Sequence, residues 1–175
     1  MSLFNDVVAV LRAADIPHAV IGAAAMAVHG ISRATADVDL LVTAPQSLAA
    51  ATWASLAVTS DVDIRRGDDD DPLAGVVRIA RRAEIDVDVI IGKRAWQQGC
   101  VSRAIPSPID GVPVVRLEDL VLLKLYAGGP QDAWDIHQAL ALPEGTGVIY
   151  AVDAIVSSLP NDAQALWRRI LAERS

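Results

Sequence analysis

The chain has 175 residues, 53% of them hydrophobic and 21% charged, with a formal net charge of −7. That length and apolar content suit one well-buried domain with a small helical appendage, and exclude a disordered chain. The acidic balance excludes holding nucleic acid by the general surface, because basic groups neutralising phosphates supply most of that affinity, and the single cysteine, Cys100, excludes an intrachain disulfide.

An amphipathic helix is predicted over Leu3 to Ala14, where Leu3, Val7, Val10, Leu11 and Ala14 fall at helical spacing. This start has no cationic segment ahead of an uninterrupted apolar core, so no signal peptide is expected and the cytoplasm is the expected location. Ile16-Pro17 breaks the helix, and "HAVIG" reads as a short buried strand. Ala23 to Val28 reads as a short helix closed by Gly30. The longest apolar run, Ala19 to Val28, falls short of the roughly 18 residues that a membrane span needs, so no membrane partner is expected. Asp37 to Thr43 is a second strand, and Pro45 opens a helix expected to reach about Ala57.

The stretch "SDVDIRRGDDDDPLAGVVRIARRAEIDVDVIIG" reads as strand, acidic turn, strand, tight turn, strand. The run Asp68 to Asp71 ahead of Pro72 is a solvated hairpin loop, with no alternation that would gather its carboxylates round a cation. "EIDVDVII" alternates strictly, with Glu84, Asp86 and Asp88 on one face and Ile85, Val87, Val89 and Ile91 on the other. A helix near Ala95 to Ala104 leads to the punctuated "IPSPIDGVPVVRL" and a further short strand. From Leu117 the pattern is helical, in candidate segments separated by Gly or Pro. The fold expected is α+β or α/β, a core over residues 1–115 followed by a helical subdomain over 116–175.

Asp37 and Asp39, at i and i+2 on a strand, point the same way with α-carbons about 6 to 7 Å apart. Uncompensated, they repel and raise one another's pKa. Hard divalent cations such as magnesium take such oxygens together with substrate phosphates. Ahead of the pair stand a strand, Gly22 and a helix start whose free N–H groups suit phosphate oxygens. Behind it a second acidic strand can add a third carboxylate. Three such groups can hold two metal ions roughly 3.5 to 4 Å apart, the arrangement used to move a nucleotidyl group from a nucleoside triphosphate. His29, at a helix end, reads as a favourable dipole contact, and Trp53, Trp96, Trp134 and Trp167 read as core.

The order hG-x-x-A-x-x-x-H-G-x-x-R-x-T-x-D-x-D-LLV over Ile21 to Val42 resembles the nucleotidyltransferase superfamily, which joins DNA polymerase β-like enzymes with aminoglycoside and minimal bacterial nucleotidyltransferases. Within it the chain most resembles the AbiEii/AbiGii toxin-like branch, whose helical motif is similar to "EDLVLLKLYAGGPQDAWDI", Glu118 to Ile136, with Lys124 and Asp132 at its recurring polar positions. The resemblance implies a nucleotidyltransferase-like mixed sheet flanked by helices. It implies Asp37, Asp39 and Asp88 as metal ligands for two Mg2+ ions, with Asp88 also acting as base. Asp86 is the alternative third carboxylate, and Glu84 lies too far toward the turn. Gly22 and Ala23 would open the phosphate-binding helix, and Arg33 and Lys124 would contact the triphosphate. Ala23 stands where many members carry Ser or Gly, which implies a weaker or altered grip on the nucleotide.

Two classes of function follow. One is a magnesium-dependent enzyme transferring a nucleoside monophosphate from an NTP, ATP included, to a hydroxyl of tRNA, protein or a small molecule, with a toxin–antitoxin role and a cognate antitoxin as partner. The other is a non-catalytic binding or regulatory protein on the same fold. Retention of all three carboxylates favours the enzyme.

Overall fold

The Ser2 hydroxyl accepts the Asn5 N–H and so caps helix α1 (Leu3–Ala13), whose Leu3, Val7, Val8 and Leu11 are buried. In the computed structural model, which describes residues 2–32 and 35–174, Asp15 at φ 51° reverses the chain into β1 (His18–Val20). Helix α2 (Gly22–Val28) follows at once, and β2 (Asp37–Val42) then returns antiparallel to β1. Three further strands, β3 (Asp61–Arg66), β4 (Leu73–Ala80) and β5 (Asp86–Gly92), form an antiparallel meander. After α3 (Ala95–Ser102) come two short strands, β6 (Ile105–Pro106) and β7 (Pro113–Val114), of which β6 was not expected from the sequence.

These strands make one mixed seven-stranded sheet in the order β3-β4-β5-β2-β1-β7-β6. The central β2–β5 pair is parallel, with Leu40 beside Val89 and Val42 beside Ile91. Leu40, Leu41, Val42, Val87 and Val89 are fully buried, as parallel strands require, and each such side chain contributes about 1.5–3 kcal/mol. Helix α1 packs on β5.

The remaining helices are α4 (Leu117–Ala127), α5 (Pro130–Ala141), α6 (Gly145–Asp153) and α7 (Asn161–Glu173). Gly128, at φ 71°, ends α4 by donating its N–H to the Lys124 carbonyl, and Asp132 Oδ2 accepts the Gly129 N–H at the start of α5. Helix α4 touches α2, α5, α6 and α7 and so ties the helical tail to the strand–helix unit of the core.

Two expectations change. The helix expected from Pro45 is instead a pair of short 3-10 turns, Pro45–Leu48 and Ala50–Trp53, separated by extended Ala49. Local bonding explains the break. The Trp53 indole N–H donates to the Ser47 carbonyl at 2.8 Å, and the Thr52 hydroxyl donates to the Gln46 carbonyl at 2.7 Å. Trp53 and Trp167 are core as expected, but Trp134 is 48% exposed on α5.

Candidate active site

The parallel register of β2 and β5 sets Asp37 beside Asp86 and Asp39 beside Asp88. Cross-strand partners share a face, so four carboxylates form a two-by-two patch with strands about 4.8 Å apart. Their sequence neighbours fix this arrangement. Leu40, Val87 and Val89 point into the core, and a slip of one residue would turn them outward and the acids inward.

Strand β4 adds a residue the sequence reading missed. Arg78 lies directly opposite Asp88, and its guanidinium donates to Asp86 Oδ2 at 2.8 Å and reaches Asp88 Oδ2 at 3.5 Å. An arginine among valine and isoleucine in "GVVRIA" was the available signal, since alternation puts it on the open face with Val76. Which acids it meets depended on a register that shifts between Leu73 and Gly75.

The individual carboxylates differ. Asp88 has its pKa raised, chiefly by burial, with Arg78 opposing and the neighbouring Asp37 and Asp86 reinforcing. Its Oδ1 is buried without a hydrogen-bond partner. Asp37 Oδ1 lies 2.8 Å from the Thr35 hydroxyl, which also meets the Asp37 carbonyl, so Thr35 braces the strand entry. Asp39 presses on the start of α2, where its carbonyl accepts the Ile21 N–H at 3.0 Å. Gly22 adopts φ +63°, and a Cβ there would fall 2.0 Å from Asp39 Oδ2. Glycine is therefore required at this position twice over, by backbone conformation and by contact. Ala23 follows in the first turn of α2, buried.

Lys124 is 9% exposed and its ammonium is shared between Asp132 at 2.9 Å and Asp135 at 2.7 Å, which joins α4 to α5. Arg33 lies outside the described residues. Glu84 sits in the turn before β5, where its carboxylate meets Arg81 at 3.3 Å and accepts the Leu3 N–H. The Asp68–Asp71 run satisfies itself. Asp68 Oδ1 accepts the N–H groups of Asp70 and Asp71, and Asp71 Oδ2 accepts that of Asp68. His29 Nε2 lies 2.8 Å from the Val115 carbonyl, a structural bond across to the strand end.

On the far side of Asp88 from α2, the open face of β3 and β4 is hollowed into a cleft of about 290 Å³. Asp88, Arg78, Asp63 and Arg65 line it, with Val76 and Leu73 adding apolar surface.

The donor chemistry fits a hard divalent cation. All four groups are carboxylates, and Asp88 Oδ1 lacks a partner. Among the described residues no three Asp, Glu, His or Cys side chains are drawn close enough to ligate one ion together. Arg78 meets Asp86 Oδ2 and Asp88 Oδ2 from the β4 side and itself neutralises part of the charge.

No protein-family model matches the chain, and no curated protein sequence does. Solved structures do. The solution structure of the antibiotic-resistance factor ANT(2'')-Ia matches 98% of this chain and 91% of its own at 14% identity, with a TM-score of 0.50. Its crystal structure in complex with adenylyl-2''-tobramycin matches 99% and 97% at 14% identity, with a TM-score of 0.51. An antigenic nucleotidyltransferase-like protein from Paracoccidioides brasiliensis matches 94% and 83% at 13% identity, with a TM-score of 0.47. At such identity the likeness is one of architecture, and the chain has a nucleotidyltransferase-like α+β fold.

Proposed function

We propose that the protein is a metal-dependent nucleotidyltransferase that moves a nucleoside monophosphate from an NTP to a hydroxyl acceptor. The observation that carries this reading is the register pairing Asp39 with Asp88 and Asp37 with Asp86 on one open face, beside Gly22, in a fold of this class.

In this reading Asp37, Asp39 and Asp88 hold the ions. Bound divalent cations would supply acidity to the attacking hydroxyl and charge compensation to the departing pyrophosphate. Asp39 and the Gly22–Ala23 turn face the triphosphate, with the Asp39 carboxylate packed into the space that a Cβ on Gly22 would take. Asp88 is the third carboxylate in preference to Asp86. It adjoins Asp39, and its Oδ1 has no hydrogen-bond partner, whereas Asp86 has the shorter bond to Arg78. Arg78 opposes the rise in the Asp88 pKa that burial causes. Lys124, the expected triphosphate contact, is paired with Asp132 and Asp135. The acceptor hydroxyl belongs to a tRNA, a protein or a small molecule, and the toxin-like resemblance of Glu118 to Ile136 adds a cognate antitoxin as a partner to the proposal.

The test is incubation with each α-labelled NTP, magnesium and a cell extract. Wild type is expected to label an acceptor, and Asp88→Asn to lower the rate by about 10²–10⁴, the usual contribution of a positioned base. Asp86→Asn is expected to retain most activity. Labelling that survives an Asp37→Asn, Asp39→Asn double substitution would refute the assignment.

A further inference from the structure

The carboxylate patch has two flanks, and a transfer reaction has two substrates. One flank is the Gly22 turn, next to Asp39. The other is the cleft over β3 and β4, which Asp88 borders directly. We infer that this cleft binds the acceptor, and that the acceptor is a small hydroxyl compound bearing a phosphate, of monosaccharide-phosphate size. This inference rests on the transfer reading and adds the class of acceptor to it.

Size limits the ligand. A volume of about 290 Å³ lies at the lower end for small-molecule sites and leaves no room for an extended polymer within it. The cleft is also pre-shaped. Tyr126 donates its hydroxyl to the Pro72 carbonyl at 2.9 Å, and Lys93 Nζ donates to the Asp68 and Asp69 carbonyls at 3.0 Å. Both contacts pin the 67–72 hairpin that walls the site, so little ordering is left for the ligand to drive.

Charge selects the ligand. Arg65, Arg66 and Arg78 face Asp63, Asp71 and Asp88 round the rim, a formal balance that offers a polycation no excess of acid. The arginines are not equivalent. Arg66 gives Nη2 to the Leu48 carbonyl at 2.6 Å, and Arg78 serves Asp86 and Asp88. Arg65 gives only its Nε–H to Asp63, at 2.7 Å, among the described residues, and its side chain is 77% exposed. The terminal edge of its guanidinium can therefore take a phosphate in bidentate fashion.

Strand geometry sets the span. Arg65 lies opposite Val76, one side-chain repeat along from the Arg78–Asp88 row and two strands across from Asp88. That separates the Arg65 and Asp88 α-carbons by about 12 Å. A sugar phosphate gripped by an extended arginine bridges this distance, with its carbon skeleton over Val76 and a hydroxyl at Asp88. In the step, the hydroxyl oxygen bonds to the α-phosphorus of the NTP and its proton passes to Asp88. The bond from that phosphorus to the bridging oxygen breaks, and pyrophosphate leaves with the electron pair.

The experiment is calorimetric titration of the full chain, at low and moderate salt, with ribose 5-phosphate, ribose, spermidine and a short oligoribonucleotide. Ribose 5-phosphate is expected to bind at least tenfold more tightly than ribose, with the advantage shrinking as salt rises. Arg65→Ala is expected to erase that advantage and leave ribose binding unchanged, while Arg65→Lys restores part of it. Equal binding of the two sugars, binding of neither, or an advantage that survives Arg65→Ala would overturn the inference. So would a preference for spermidine or for the oligoribonucleotide. Titration of magnesium with NTP in the same samples keeps the two readings apart. Loss of nucleotide binding alongside Arg65-dependent sugar-phosphate binding would overturn the transfer reading and leave the cleft assignment standing.

Discussion

Asp88 stands between stability and function. Burial and two neighbouring acids raise its folded pKa above the unfolded value, so the folded state binds more protons in the interval between the two. Stability contributed by this residue therefore falls as pH rises through that window, and the deficit persists above it. Asp88→Asn is expected to raise the melting temperature at pH 7 in metal-free buffer, with the gain over wild type disappearing toward pH 4; a loss of stability at neutral pH would show that Arg78 outweighs burial. Metal affinity should run the opposite way in wild type and weaken as acid protonates Asp88. Gly22 gives a second test. Gly22→Ala combines a left-handed backbone with a contact on Asp39, so a destabilisation of at least about 1–2 kcal/mol is expected in denaturant melts, together with weakened nucleotide binding. A neutral result would mean that neither the backbone nor the Asp39 contact constrains this position.

Among the elements, the strands were legible wherever a period of two met buried residues. "DVDLLV" and "DVDVIIG" announced themselves by alternation and then by apolar runs, and they became the central parallel pair. The acidic face was readable for the same reason. What could not be read was partnership across strands and helices. Arg78 acquires its meaning only from the β4–β5 register, and Lys124 only from the α4–α5 turn that brings Asp132 and Asp135 to it. The two polar positions singled out in that motif, Lys124 and Asp132, bind each other. Lys124→Met is therefore expected to destabilise the fold by about 3–5 kcal/mol, because two carboxylates, one of them fully buried at Asp135, lose their cation. Urea unfolding measures this; a cost below about 1 kcal/mol would mean that the pair is structurally dispensable. The turns after Pro45 escaped the sequence because indole and hydroxyl groups of Trp53 and Thr52 reach back to carbonyls, a choice that helix propensity does not contain.

At the scale of the molecule, the order β3-β4-β5-β2-β1-β7-β6 places the acidic patch where the antiparallel meander meets the parallel pair. One side of that junction carries α2 and the helices tied to it through α4; the other is left open as the cleft. A chain of net charge −7 thus concentrates four carboxylates at one point of its surface, a cost in repulsion that divalent cations would relieve. The most direct measurement is the thermal melt of wild type and Asp39→Asn with magnesium alone, NTP alone, and both together. Wild type is predicted to gain most when both are present, by roughly 2.7 kcal/mol at a hundredfold excess over the dissociation constant, and Asp39→Asn to gain nothing from the pair. An equal gain in the mutant would contradict the account.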